Sequence, residues 1–336
     1  MGRTAPGRNG FRPSTWPEVP MNNWIVATEV PVTGASSPVT RQTVSPPAFR
    51  QIAACLESER DLPGMVAAVS ALARGRSARV IVLHVNVTAQ TAAMFPEAAG
   101  RRDIESDAEA RALVDEAVRR MRRSGVTASG QVLTSGWQAT ADVLLDAAAT
   151  FRSDLILVMP HGRTGLAAIL EGSVSHQLLQ RALCPVLCLP PGSQRLNLRR
   201  LAVAWDGSAL ARMALKLAEQ VSRVFGSEVT PIRVTNKAPA AGFPASSALT
   251  SEVVIEQGSE TVAEALNRAA GASKAGMVVI GSHGRGDLAA LVIGSVTHGL
   301  LAISQRPVLV VRGGSHGGSA TRTRGAATAI PSQRQA

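Results

Sequence analysis

The sequence predicts an α/β protein in which each half forms a doubly wound parallel sheet. Three observations lead to this fold class. Short apolar runs alternate with longer amphipathic segments, and this whole alternation occurs twice within the 336 residues. A third observation is the Pro190-Pro191-Gly192 break that separates the two series. A chain of this length is large enough for two domains of ordinary size.

The pattern of the first half predicts five strands and four helices. The strands are expected at residues 52–57, 78–85, 126–133, 155–158 and 186–189, and the helices at 65–73, 100–125, 138–151 and 172–181. In the 100–125 segment, acids come early and four arginines between Arg119 and Arg123 come late. This is the charge order that a helix dipole favours, so we expect one long charged helix.

The second half repeats this order with one helix fewer. Its strands are expected at residues 201–206, 228–235, 252–258, 277–280 and 307–311, and its helices at 209–225, 259–270 and from Gly294 onward. The segment 236–251 is too short, and too rich in Pro, Ala and Ser, to replace the charged helix of the first half. We therefore expect one edge or face of the second sheet to be left uncovered.

Constant spacings between matching residues show that the halves are related. Glu57 and Asp206, and His84 and Arg233, are 149 residues apart; His161 and His283, Gly172 and Gly294, and His176 and His298 are 122 apart. The sequence therefore predicts two domains of one kind. They are expected at residues 49–191 and 201–312, joined by a linker at 192–200.

The net charge of +11 comes in large part from the two ends of the chain. Residues 1–50 contain five Arg and two Glu, and residues 313–336 contain three Arg and no acid. Both ends are rich in small polar residues, so we expect a disordered basic arm at 1–48 and a disordered tail at 313–336. Aromatic residues make up only 3% of the chain. This composition does not favour a specific nucleic-acid partner.

The three cysteines, Cys55, Cys184 and Cys188, lie in apolar surroundings and lack the ligand spacing of a metal site. We interpret them as small buried hydrophobic residues and expect no metal. The N-terminus has no apolar core of a secretory signal, and no apolar run approaches the roughly 18 residues of a membrane span. These features predict a cytoplasmic protein without a membrane partner.

A strand followed by two glycine-containing turns stands near the end of each half. In the second half Gly281-Ser282-His283-Gly284 follows the strand directly, and Gly294-Ser295 comes after nine more residues, where a helix is expected to begin. Backbone N–H groups that converge at a helix N-terminus bind anions such as phosphate. The sequence therefore predicts a phosphate-binding site in the second half.

These residues resemble the universal stress protein family, through VAWDGS, GSHG-x9-GSVT and RPVLVV. The resemblance covers residues 51–312 as a tandem pair of Rossmann-like, adenine nucleotide alpha hydrolase-like domains. It implies an internal pseudo-dimer in which the last strands of the two halves lie close, with a further homodimer left open. It also implies ATP, with or without Mg²⁺, as ligand, and a stress-response sensor or regulator with an unknown protein partner and without strong catalysis.

The resemblance assigns roles residue by residue in the second half. Asp206 is expected to contact the adenosine part, and Val234 the adenine edge through its backbone. The full set of expected nucleotide-binding residues is Ala204, Trp205, Asp206, Val234, Gly281, Ser282, His283, Gly284, Arg285, Gly294, Ser295, Val296 and Thr297. Within this set we expect the Trp205 ring to pack against a helix rather than to stack on adenine.

The first half departs from the family pattern, and we expect its site to be silent. Met159 stands where Gly281 does, and Pro160 removes one backbone N–H from the turn. Glu171 adds negative charge where an anion would bind. The residues that correspond to the nucleotide site are Glu57, Val85, His161, Gly162, Gly172 and Ser173. One nucleotide per chain is therefore the prediction.

Two other functions stay open at this point. A nucleotide-free scaffold or interaction protein, with no cofactor, fits the departures in the first half and the missing helix in the second. A slow ATPase is less favoured because the sequence shows no base partnered by a second group, so no residue is predicted to be catalytic. His161 and His283 are interpreted as turn residues, and Asp206 as either a nucleotide ligand or a helix cap.

Overall fold

A computed structural model describes residues 48–86, 105–134, 139–160, 174–235, 253–256, 258–283 and 293–312. Within these residues the chain forms ten strands and seven helices. The strands are β1 Gln51–Cys55, β2 Arg79–Asn86, β3 Thr127–Thr134, β4 Leu155–Val158, β5 Val186–Cys188, β6 Arg200–Ala204, β7 Glu228–Thr235, β8 Val253–Glu256, β9 Met277–Gly281 and β10 Val308–Val311. The helices are α1 Leu62–Ala73, α2 Asp107–Arg123, α3 Thr140–Thr150, α4 Val174–Arg181, α5 Ala209–Phe225, α6 Val262–Ala272 and α7 Ser295–Ile303.

All ten strands belong to one sheet with the order β3-β2-β1-β4-β5-β10-β9-β6-β7-β8. Each half contributes five parallel strands in the same internal order, and the last strands, β5 and β10, pair antiparallel. The α/β fold class and the expected contact between the last strands are confirmed. The expected domain bounds at residues 191 and 201 stay predictions.

The two faces of the sheet carry separate hydrophobic cores. Helices α1, α2 and α5 cover one face, and α3, α4, α6 and α7 cover the other. Alternation along β1 shows why both faces are buried, because Ile52 and Ala54 point into one core and Ala53 into the other. All three side chains are fully buried. Continuous apolar strands of this kind are typical of a parallel sheet covered on both faces.

Helix starts account for the largest differences from the expected bounds. Ser106 caps α2, since its hydroxyl accepts a hydrogen bond from the Glu109 backbone N–H while the Glu109 carboxylate accepts one from Ser106 N. The helix therefore begins at Asp107, and the expected start at Gly100 was wrong. Strand β6 ends at Ala204 because Asp206 and Ser208 already form the turn that opens α5.

Helix α2 packs closely on the edge of the first half. A Cβ atom at Gly130 of β3 would lie 2.2 Å from Cγ1 of Val114, so only glycine allows this approach. At the opposite edge of the sheet, Val253 and Val254 of β8 are 43% and 39% exposed. The sequence predicts that the second half lacks a helix corresponding to α2. The residues concerned, 236–251, lie outside the described part of the chain.

None of the helices that the structure describes is long and apolar enough to cross a membrane.

The β5–β10 pair is expected to contribute strongly to stability. Leu187 and Leu309 lie opposite each other, and both are about 1% exposed. Leu309→Ala should lower the free energy of unfolding by about 2–5 kcal/mol, because it removes buried methyl groups and leaves a cavity. Urea denaturation measures this change. Leu183→Ala, at a position that is 79% exposed, should change it by less than about 0.5 kcal/mol. Equal effects of the two variants would contradict the role of the pair.

Candidate functional site

A cavity of about 210 Å³ opens at the carboxyl ends of β6, β7 and β9. This is the edge where open α/β sheets bind ligands. The lining residues are Ala204, Trp205, Asp206, Ser208, Ala211, Ile232, Val234, Val262, Leu266, Ile280, Gly281, His283, Gly294, Ser295, Val296 and Thr297. Ten of the thirteen residues expected from the sequence are among them. Of the other three, Ser282 is buried beside the cavity, and Gly284 and Arg285 lie outside the described residues.

One wall of the cavity is apolar, and sequence reasoning did not name most of it. Ile232 and Val234 alternate along β7 and so share a face of the sheet, which Ile280 of β9 continues. Val262 and Leu266 face the cavity from α6, four residues apart. The alternation along β7 and the helical spacing along α6 can be read from the sequence, but neither pattern shows that β7 and α6 meet. The wall suits a flat apolar ring system.

The turn between β6 and α5 places the carboxylate of Asp206 at the cavity. Its Oδ1 accepts a hydrogen bond from Ser208 N at 2.9 Å, and the Ser208 hydroxyl accepts one from Ala211 N at 3.1 Å. Gly207 has a φ of +77°, which glycine adopts without strain. The residue that caps α5 is Ser208, so the interpretation of Asp206 as the helix cap was wrong; its carboxylate instead fixes the turn before the cap. The ligand interpretation is compatible with this geometry because the residue also lines the cavity.

Trp205 packs in the core that α5 covers and is 5% exposed. The expectation that its ring packs against a helix agrees with this position, and part of the residue also borders the cavity.

Three hydrogen bonds fix the turn that follows β9. Thr297 donates from Oγ1 to the Gly281 carbonyl at 2.8 Å, and Gly294 N donates to the Ser282 carbonyl at 2.7 Å. Ser282 N donates to the Val311 carbonyl at 2.8 Å. A Cβ atom at Gly281 would lie 2.7 Å from Cβ of Leu210, so glycine is needed for this close packing. The turn is thus held between α7 and β10.

The N-terminus of α7 borders the cavity without a side-chain cap or an acid in its first turn. Its first residues, Ser295, Val296 and Thr297, line the cavity. The first N–H groups of a helix lack helical partners and carry partial positive charge, so they attract an anion. The cavity therefore combines an apolar wall, a carboxylate and an anion-binding helix end.

His283 is the second ionisable side chain that lines the described cavity, beside Asp206. Its Nδ1 lies 3.0 Å from the Ser282 hydroxyl, and its buried Nε2 has no hydrogen-bond partner within the described residues. Burial lowers the pKa of His283 from its usual 6.5, and the positive charge of Arg312 lowers it further. The ring is therefore neutral near pH 7.

The corresponding cavity of the first half measures only about 30 Å³. Glu57 and Val85 line it, as expected from the repeat, together with Met159, which stands at the position of Gly281. The Met159 side chain is almost fully buried and packs in the core that α1 covers, beside Gly64. His161, Gly162, Gly172 and Ser173, the other expected residues of this site, lie outside the described residues.

The cysteines show no sign of redox or metal chemistry. Cys55, Cys184 and Cys188 are free thiols, and burial raises the pKa of each to about 12. Thiols with so high a pKa react slowly because the thiolate is the reactive form. Among the described residues, no group of three or more His, Cys, Asp or Glu side chains is placed to hold a metal ion.

Comparisons with known proteins point to one family. The model of the universal stress protein family matches residues 48–190 and 244–312. A curated universal stress protein from Mycobacterium bovis, Mb2028c, is 27% identical over 189 residues, which is 48% of this chain and 62% of that protein. The match thus spans less than two thirds of this relative.

Solved structures share the fold. A universal stress protein from Archaeoglobus fulgidus superposes with a TM-score of 0.55 at 19% identity, covering 79% of this chain and 97% of that one. A putative universal stress protein from Pseudomonas aeruginosa gives a TM-score of 0.52 at 16% identity, covering 79% and 93%. At these identities the likeness concerns the fold alone.

The position of His283 leads to a prediction about its titration. Its pKa should lie below 6.5 in an NMR titration of the imidazole signals. Arg312→Gln should raise this pKa toward 6.5, because the variant removes a nearby cation that disfavours the charged imidazolium. Arg306→Gln, at the other end of β10, should leave the pKa unchanged. An unchanged titration in Arg312→Gln would contradict the described geometry.

Proposed function

Because the chain belongs to the universal stress protein family, we propose that its second half binds one adenine nucleotide, ATP, and that binding makes the chain a sensor or regulator of a stress response. We also propose that the protein works in the cytoplasm and that its response passes to a protein partner. The first half binds no nucleotide in this proposal and serves as the other half of the sheet.

The observation that carries the proposal is the composition of the 210 Å³ cavity. Its apolar wall suits a purine ring, Asp206 suits the hydroxyl groups of a ribose, and the start of α7 suits a phosphate. Pockets for drug-sized ligands measure about 300–1,000 Å³. The cavity therefore matches the nucleoside part, while the phosphates extend along the turn at Gly281 and the α7 N-terminus.

Residue chemistry supports binding rather than turnover. Of the described residues that line the cavity, Asp206 and His283 are the ionisable ones, and Asp206 already accepts a hydrogen bond from Ser208 N. Hydrolysis of a phosphate needs a positioned nucleophile and stabilisation of the developing charge, commonly by metal ions. We therefore propose that ATP is bound without rapid hydrolysis. Mg²⁺, where present, arrives with the nucleotide.

The size difference between the two cavities supports one site per chain. The first-half cavity of about 30 Å³ has room for about one or two water molecules. Calorimetric titration with ATP and Mg²⁺ should therefore give a stoichiometry of one. A stoichiometry of two would contradict the silent first half, and absence of binding would favour the nucleotide-free scaffold.

A negative charge at the α7 N-terminus should weaken ATP binding without destabilising the fold. Ser295→Glu adds a carboxylate where the phosphates are proposed to lie, so the Kd for ATP should rise at least about tenfold through like-charge repulsion. Thermal stability should not fall, because an acid in the first turn favours a helix.

The matched control is Ser175→Glu, which adds the same carboxylate in the first turn of α4 at the small first-half cavity. This variant should leave the affinity for ATP within about twofold of the wild type. Equal weakening by both variants, or unchanged binding in Ser295→Glu, would place the nucleotide elsewhere.

A further inference from the structure

Arg312 connects the two halves of the chain next to the candidate nucleotide site. It directly follows β10, whose last residue, Val311, accepts the hydrogen bond from Ser282 N. The Arg312 guanidinium reaches across to the first half and donates from Nη1 to the carbonyl oxygen of Leu179 in α4. The side chain is thus anchored in one half while its backbone adjoins the turn of the other.

The Leu179 carbonyl is a favourable partner because of its place in α4. The last four carbonyl groups of a helix have no partner within the helix and carry partial negative charge. The Leu178 carbonyl accepts from Ala182 N at 2.8 Å, and the next carbonyl, that of Leu179, accepts from Arg312. A cation at a helix C-terminus is stabilised by the helix dipole. The first half therefore supplies an acceptor for the Arg312 guanidinium.

The charge of Arg312 acts on the nucleotide cavity. The guanidinium contributes to the lowered pKa of His283, a residue that lines the cavity. Arg312 itself is half-buried and is not one of the described lining residues. Burial lowers its own pKa, yet a guanidinium stays protonated in proteins. Its influence on a ligand is therefore that of a fixed positive charge behind the turn.

We propose that Arg312 is a positioning residue that adds positive charge to the phosphate end of the nucleotide site and that the first half holds it there through the Leu179 carbonyl. This inference rests on the proposed function. It gives the first half, whose own cavity is too small for a nucleotide, a part in binding by the second half. The charge favours phosphate groups but makes no difference to the uncharged nucleoside.

Calorimetric titrations of ATP and of adenosine against four proteins test this inference. The proteins are the wild type, Arg312→Gln, Arg312→Lys and Arg306→Gln. In Arg312→Gln the Kd for ATP should rise about three- to tenfold, whereas the Kd for adenosine should stay within about twofold. Arg312→Lys should restore most of the affinity for ATP because it keeps the charge. Arg306→Gln should behave as the wild type.

Hydrogen exchange of α4 tests the link between the halves. Amide exchange in the last turn of α4 should be faster in Arg312→Gln than in the wild type, because the helix end loses a partner. Arg306→Gln should leave this exchange unchanged. Unaltered exchange in Arg312→Gln would overturn the anchoring role of Leu179.

The outcomes separate the inference from the proposed function. If the wild type binds ATP and Arg312→Gln binds it with the same affinity, the inference alone is overturned. Equal weakening of ATP and adenosine in Arg312→Gln would also overturn it, because a structural defect affects both ligands. Wild-type chain that binds neither ligand would overturn the proposed function and this inference with it.

Discussion

The antiparallel pairing of β5 with β10 brings together the parts of the molecule on which the candidate site depends. It joins two five-stranded parallel sheets into one ten-stranded sheet with a continuous core on each face. It also sets β10, which fixes the turn after β9 through Val311, beside the first half. From there Arg312 reaches α4. The pairing thus supplies both the stability of the sheet and the surroundings of the turn.

Small differences between the related halves change the space at the two corresponding sheet ends. Each half has a cavity at the carboxyl ends of its strands, and because β5 and β10 are antiparallel these ends lie at opposite edges of the ten-stranded sheet. In the second half Gly281 packs against Leu210 of α5 beside a cavity of about 210 Å³, whereas in the first half Met159 packs beside Gly64 of α1 and lines a cavity of about 30 Å³. The two related sheets therefore differ in the space that they leave at the carboxyl ends of their strands.

Much of the fold was predictable from the sequence because strand and helix periods are local properties. Alternating apolar runs indicated the strands, and the resemblance to the family implied that the last strands meet. The expected start of α2 was wrong because the sequence interpretation did not recognise Ser106 and Glu109 as a helix cap. The apolar wall at Val262 and Leu266, and the contact from Arg312 to Leu179, depend on elements far apart in the chain. Local patterns do not show which of these elements meet.

In the proposed function, one half of the paired sheet binds the nucleotide while the other half supports it. The most direct measurement is hydrogen–deuterium exchange of the full chain with and without saturating ATP. We expect slower exchange at residues 281–283 and 293–297 and no protection at residues 155–160, beside Met159. Equal protection of both segments, or protection confined to the first half, would contradict it.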